Sequence, residues 1–344
     1  MTPAHRNWHP RSRAVNAWIA ILPLLLLIAA QDILTGVFGA PSIVATMIAS
    51  RAMTPRRAIL LSTVAQLVGP LLFGVAVATA VGSGVVESTG ITKLMLGSAL
   101  SSTVFWMIFA FYRRIPSSST HALVGGLLGA VLAGLGPSAI HAAGLLKMLL
   151  SLTLTAPLGI LGGFIVARFC YWLARASSPK VNHAFNRGQI ITAVFLGFAV
   201  GSNNAQNAMG ITTLCLLVAG LITKFEVPHW VVLASAFCLA LGNLVGGMRL
   251  MKSMGAQFFQ VRPIHGFSAE LSSTLIIITT ALIGGNVSTT HVTNMSIIGA
   301  GAGERVSMVR WGFVQKVLMA WVLTIPITAL IAAGLYFIIH TLSY

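Results

Sequence analysis

Apolar runs follow one another along the chain almost without interruption, at roughly 14–31, 37–50, 58–83, 91–112, 118–136, 139–175, 190–222, 229–248, 264–284, 288–303 and 311–340. A membrane-crossing helix takes about 20 apolar residues, so 344 residues have room for about ten to twelve segments. Several runs are too short to cross, or are rich in Gly, Ser, Thr and Pro. Those at 36–50, 117–130, 201–214 and 286–301 read as broken or re-entrant helices. Such backbone persists at membrane depth only where protein covers it or a watery cavity meets it. The pattern predicts an all-α integral membrane protein.

Composition agrees. Hydrophobic residues make up 56% of the chain and charged residues 8%, against about 25% charged in soluble domains. The net charge of +16 would suggest nucleic acid in a soluble protein. Here the bases sit in short clusters between apolar runs: His5–Arg13, Arg51–Arg57, Arg113–Arg114, Lys180–Arg187, Arg249–Arg262 and Arg305–Arg310. That placement serves orientation in the lipid bilayer and anionic headgroups, and argues against nucleic acid as a partner. Cys170, Cys215 and Cys238 share no metal-ligand spacing and read as small buried hydrophobes. The basic segment 1–13 ahead of an apolar run fits either a cleaved signal peptide or a retained first span with a cytoplasmic N-terminus. The long apolar series that follows favours the second.

The chain also repeats itself. "IPSSSTHALVGGLLGAVLAG" begins at Ile115 and "GNVSTTHVTNMSIIGAGAG" at Gly285, each a hydroxyl run ending in Thr-His before a small-residue stretch. The histidines, His121 and His291, are 291 − 121 = 170 residues apart. Upstream, "GVFGAPSIVATMIASRAM" from Gly36 has a looser counterpart in "GSNNAQNAMGITTLCLLVAG" from Gly201, an offset of 201 − 36 = 165. Two polar elements in one order at nearly one offset predict a first transmembrane repeat over 14–175, a polar linker over 176–189 and a second repeat over 190–344. Repeats with interrupted helices point to a secondary transporter that binds its substrate between the halves, near the midplane.

An oxyanion in such a place needs inward-pointing donors. Hydroxyls and the N–H groups of broken helix ends supply them, with about half a positive charge from the helix dipole. Ser117, Ser118, Ser119 and Thr120 would face Ser288, Thr289 and Thr290. Either run alone reads as helix capping or packing; the matched pair favours an anion site. His121 and His291 would either carry protons or hydrogen-bond broken backbone. No third ligand completes a zinc site, so no metal and no cofactor is expected. Of the five acids, Glu87, Glu226 and Glu304 read as loop residues. Glu270 is either an intramembrane functional acid or a helix-start carboxylate answering the dipole.

These motifs resemble the inorganic phosphate transporter (PiT) family over nearly the whole chain after Ala30. The likeness includes "SRAMT", both Ser/Thr–His elements, "GMRLMKSMGAQFFQVRPIHGFSAEL" at 247–271 and "KVLMAWVLTIPITALIAAGLYF". The resemblance implies two inverted repeats around a central site, a homodimer, and inorganic phosphate or sulfate as substrate with H+ or Na+ as coupling cation. The family signature, approximately G-A-N-D-x-A-N, is altered here. Its aspartates, linked to cation and phosphate binding, fall on Gly39 and Asn204, and a further acidic position falls on Gln66, while Glu270 keeps its acid. Gly39, Ala40, Ser42 and Asn204 are therefore candidate substrate contacts, and Asn203, Asn207 and Gln66 candidate neutral cation ligands. Asp32, seven residues before Gly39, either compensates for the missing acid or sits at the membrane interface.

Hydrogen phosphate carries a hydrogen that needs an acceptor, and a buried unpaired donor costs about 1–3 kcal/mol. The lost aspartates therefore move the site toward sulfate, and the change to a glycine and an Asn-Asn is similar to the family's sulfate permease branch, whereas the intact Ser/Thr–His elements and the common family substrate favour phosphate narrowly. An inside-negative potential opposes each anionic charge by about 2.3 kcal/mol per 100 mV, so uptake of a dianion calls for about two accompanying cations. The expectation is a cation-coupled symporter, not an enzyme, in a bacterial inner membrane; an uncoupled anion channel is the rival of another class.

Overall fold

The computed structural model describes residues 10–86, 90–113, 115–178, 180–254 and 260–343. Met1–His9, Glu87 and residues 255–259 of the long shared motif lie outside them. Among the described residues the chain folds into eleven α-helices and no strand. In order they are α1 (Pro10–Ala49), α2 (Pro55–Leu72), α3 (Ala76–Gly82), α4 (Lys93–Arg113), α5 (Ser119–Leu135), α6 (Ala142–Ala174), α7 (Val181–Val218), α8 (His229–Met254), α9 (Pro263–Leu282), α10 (Thr289–Glu304) and α11 (Trp311–Leu342). Six are long and apolar enough to cross a membrane, or seven if α2 and α3, bent by 80° at a short break, count as one span. The protein is a multi-pass membrane protein.

Set in order, the helices of the two halves match: α1 with α7 at 40 and 38 residues, α4 with α9 at 21 and 20, α5 with α10 at 17 and 16, α6 with α11 at 33 and 32. Packing respects the match. α1 lies on α8 and α2 on α7; α5 lies on α11 and α10 on α6; α4 lies on α11 and α6 on α9. Glycines let backbones touch at these crossings. A side chain at Gly36 would collide with the Leu239 carbonyl and one at Gly242 with Ile33, while Gly69 meets Phe198 and Gly201 meets Gln66. Close approach through small residues is how helices associate in lipid, where apolar surface alone gives no preference for protein over acyl chains.

This packing corrects two of the four expected breaks. Residues 36–49 of the first stretch and the whole of 201–214 lie inside the continuous helices α1 and α7, and 14–31 joins 37–49 in one element. Their glycines mark crossings, and Pro41 is accommodated within α1. The other two breaks form. From half-buried Ile115 the chain runs without helix to Ser118, 1% exposed, which caps α5. After Leu282, 72% exposed, the chain likewise reaches buried Ser288 ahead of α10. Residues 181–189 of the polar stretch assigned to a linker form the first turns of α7.

The interior is unusually polar. Residues 199–216 of α7 and 289–303 of α10 are buried on every side, although they include four asparagines, a glutamine and several hydroxyls. Lipid is met instead by leucine, phenylalanine and valine on the outer helices, such as Leu150, Leu161 and Phe169 of α6 and Val322 and Leu330 of α11.

Candidate functional site

Two helix N-termini meet at the centre. Ser118 caps α5 and Ser288 caps α10, each accepting from the backbone N–H three residues on, at His121 (3.3 Å) and His291 (3.4 Å). The two cap hydroxyls are hydrogen-bonded to each other at 2.9 Å, across 170 residues of sequence. A serine is favoured at this position because its oxygen satisfies one of the four N–H groups that a helix start leaves without intrahelical partners. The remaining ones, with the positive ends of both dipoles, converge on the same point.

The histidines follow the caps. His121 Nδ1 lies 2.9 Å from Ser118 Oγ, and the His121 and His291 rings are 4.3 Å apart. Trp321 of α11 stacks on His291 at 3.4 Å and 16°, closing the far side. Sequence reasoning missed Trp321, since nothing local ties an apolar-helix tryptophan to a motif thirty residues away.

The asparagines of α7 hold both breaks. Asn203 Nδ2 donates to the Val287 carbonyl (2.9 Å), and Asn204 Oδ1 accepts from Thr289 Oγ1 (2.9 Å). Asn207 donates to Thr120 Oγ1 (3.4 Å) and accepts from Asn286 Nδ2 (2.9 Å). Asn286 was visible inside the repeated motif but carried no signal of its own. A Cβ placed on Gly39 would come within 3.4 Å of Asn204 Nδ2 and 3.7 Å of Gln66 Oε1, so the three positions where the family pattern has acids lie together beside Thr289. Ala40 and Ser42 are buried on the same helix.

Several polar atoms here have no protein partner: both ends of Gln66, Asn203 Oδ1, Asn286 Oδ1, His291 Nε2, Asn294 Nδ2 and Ser42 Oγ. Each unpaired buried polar atom costs about 1–3 kcal/mol. Gln66, Asn203, Asn286 and His291 belong to the network just described, and unmet polar atoms there mark a place built to meet something else. No carboxylate belongs to this group. It offers hydroxyls, amides, imidazoles and helix N-termini, which is a donor-rich, nearly neutral setting suited to a small anion.

Other predicted residues sit elsewhere. Ser117 turns away, accepting from Trp106 Nε1 (2.8 Å) and lying 3.4 Å from Thr324 Oγ1, which is a packing role between α4 and α11. Ser119 is half-buried, and Thr290 is buried in the first turn of α10. Glu270 forms its own cluster, accepting from Thr46 Oγ1 (2.6 Å), Thr192 Oγ1 (2.6 Å) and Gln189 Nε2 (3.0 Å). Asp32 is buried against α8 beside Ser235. Glu304, expected in a solvated loop, ends α10 partly buried, ion-paired with Arg262 and hydrogen-bonded by Tyr171 (2.9 Å). Cys238 is only half-buried. No group of three His, Cys, Asp or Glu able to hold a metal occurs among the described residues.

The fold and its centre define a polytopic membrane protein with a dry exterior and one donor-rich polar core. Residues 35–332 match the model of the phosphate transporter family. A "probable low-affinity inorganic phosphate transporter" of Bacillus subtilis (strain 168) is 35% identical over 94% of this chain and 98% of its own length. A protein of the same description from Rhizobium meliloti (strain 1021) is 35% identical over 89% of this chain and 92% of its own. The solved structure titled "The sodium-dependent phosphate transporter" superposes with a TM-score of 0.82 at 21% identity, covering 92% of this chain and 99% of that one. The chain belongs to the phosphate transporter family. Its bacterial relatives place it in the cell membrane, and they are described as transporters, not enzymes.

Proposed function

We propose that this chain is a cation-coupled symporter that carries inorganic phosphate through the Ser118–Ser288 centre. The observation that carries the reading is the meeting of two serine-capped helix N-termini at 2.9 Å inside the membrane-embedded core. That hydroxyl pair closes the centre on itself. An arriving phosphate exchanges it for two hydroxyl donors and the N–H groups behind them. Exchange-symmetric packing of the halves supports inverted repeats, so that the same site opens to either side as one half rocks on the other. By the same family expectation the carrier works as a homodimer, which native mass spectrometry in detergent tests.

Phosphate is preferred to sulfate on two grounds. The relatives are described by phosphate. The centre also holds free acceptors in the amide oxygens of Asn203, Asn286 and Gln66, which suit the hydrogen that phosphate keeps near neutrality and sulfate lacks. Neutral amides thus take over the acceptor work of the absent aspartates.

Radiolabelled uptake into proteoliposomes tests this. Accumulation of phosphate above equilibrium under a cation gradient, blocked by unlabelled phosphate and not by sulfate, is expected. Accumulation of radiolabelled sulfate but not of phosphate would replace the substrate, and dissipation of a phosphate gradient without accumulation would make the protein a channel.

A further inference from the structure

Helices α1, α7 and α8 line a partly open cavity of ≈ 160 Å³, with Asp32 on its wall beside Thr212, Ser235 and Cys238 and an otherwise apolar lining. Asp32 is 2% exposed, and its Oδ1 has no hydrogen-bond partner. No Lys, Arg or His lines the space. Ser235 donates to the carboxyl, but an ionised carboxylate so poorly paired would still be among the costliest groups a protein can bury, so the group is held neutral by a proton.

We propose that Asp32 is a proton-carrying site, and that this cavity is where the coupling proton is held. A metal cation is poorly served here, because hard cations such as calcium collect about six or more oxygens, whereas these walls offer one carboxylate and two hydroxyls. The proposal rests on the reading of the chain as a coupled phosphate carrier.

The route to the phosphate centre runs along two helices. Asp32 lies seven residues before Gly39 on α1, two turns along one face, and α1 is continuous through both. Thr212 lies eight residues beyond Asn204 on α7, also continuous. Protonation of Asp32 can thus bias how α1 and α7 sit against α8. Cys238 is the other titratable side chain on the wall. Of the groups on helices packed against α1, His229 opens α8 and Lys93 opens α4, and neither lines the cavity. His121, His291 and Glu270 belong to the clusters described above.

Sodium-free proteoliposomes with an imposed pH gradient provide the test. Wild type accumulates phosphate, whereas Asp32→Asn still exchanges phosphate at equal concentrations but accumulates at least about tenfold less, as expected for a coupling between two sites. Asp32→Glu keeps the drive. Accumulation by Asp32→Asn equal to wild type overturns the proposal, as does wild-type accumulation that needs sodium. A wild type that neither exchanges nor accumulates phosphate ends the carrier reading, and infrared spectroscopy then decides the proton site alone. A protonated-carboxyl band that Asp32→Glu shifts and Asp32→Asn removes supports it; no Asp32-dependent band refutes it. The Asp32→Glu shift is readable even if Asp32→Asn fails to fold.

Discussion

Two buried polar clusters share helices α1 and α7 and differ in completeness. Around Glu270 both carboxylate oxygens are matched by donors from α1 and α7, and Gln189, one of those donors, is itself held by Ser50 Oγ at 2.8 Å. Around Ser118 and Ser288 the hydroxyls bond one another, while amide and imidazole atoms nearby stay unpaired. A closed network ties α1, α7 and α9 into one body. An open one waits for a partner. Burial and polarity are alike in the two, so the number of unmet hydrogen bonds distinguishes a strut from a site.

Breaking the strut should have the largest effect. Glu270→Ala leaves Thr46, Thr192 and Gln189 without their acceptor, at about 1–3 kcal/mol for each buried donor left unpaired. Thermal unfolding in detergent should show it as a sharply lowered Tm. A Glu270→Ala protein of wild-type stability that no longer transports phosphate would reverse the comparison and make Glu270 part of the transport cycle.

Opening the site further should act on binding more than on stability. Ser118→Ala and Ser288→Ala each remove a donor to a charged ligand, about 1.5–3 kcal/mol, or a tenfold or greater loss of phosphate affinity by equilibrium binding. Equal affinity in both variants would remove those hydroxyls from the site. Asn204→Ala orphans the Thr289 hydroxyl and should cost about 1 kcal/mol, read as a smaller affinity loss in the same assay.

The smallest effect is expected at the rim, where Arg262, His265, Tyr171 and Glu304 tie α6, α9 and α10 together. Burial raises the Glu304 carboxyl, but hydrogen bonds from Arg262 and Tyr171 with the Arg262 charge outweigh it and hold it below the ordinary carboxylate range. A depressed carboxylate contributes stability above its unfolded pKa and loses it as pH falls through the folded one. Tm measured down the acid range should therefore decline less steeply in Glu304→Gln than in wild type.

Much of this was legible in the linear chain. The apolar series determined the solvent of the fold, because about 20 uncharged apolar residues have no stable home in water. The breaks ahead of Ser118 and Ser288 were readable too, since a hydroxyl run between apolar stretches is a helix cap in waiting, and its repetition at an offset of 170 marked the pair. Local chemistry could not say whether the glycines at 36 and 201 end helices or let them cross; that depends on which backbone lies opposite. Nor could it turn Ser117 toward Trp106 and Ser118 toward Ser288, set Trp321 on His291, or leave Asp32 facing a cavity while Glu270 is fully bonded. Those outcomes belong to partners scores of residues away, and a hydrogen bond is decided by distance and direction in space, which neighbours along the chain do not specify.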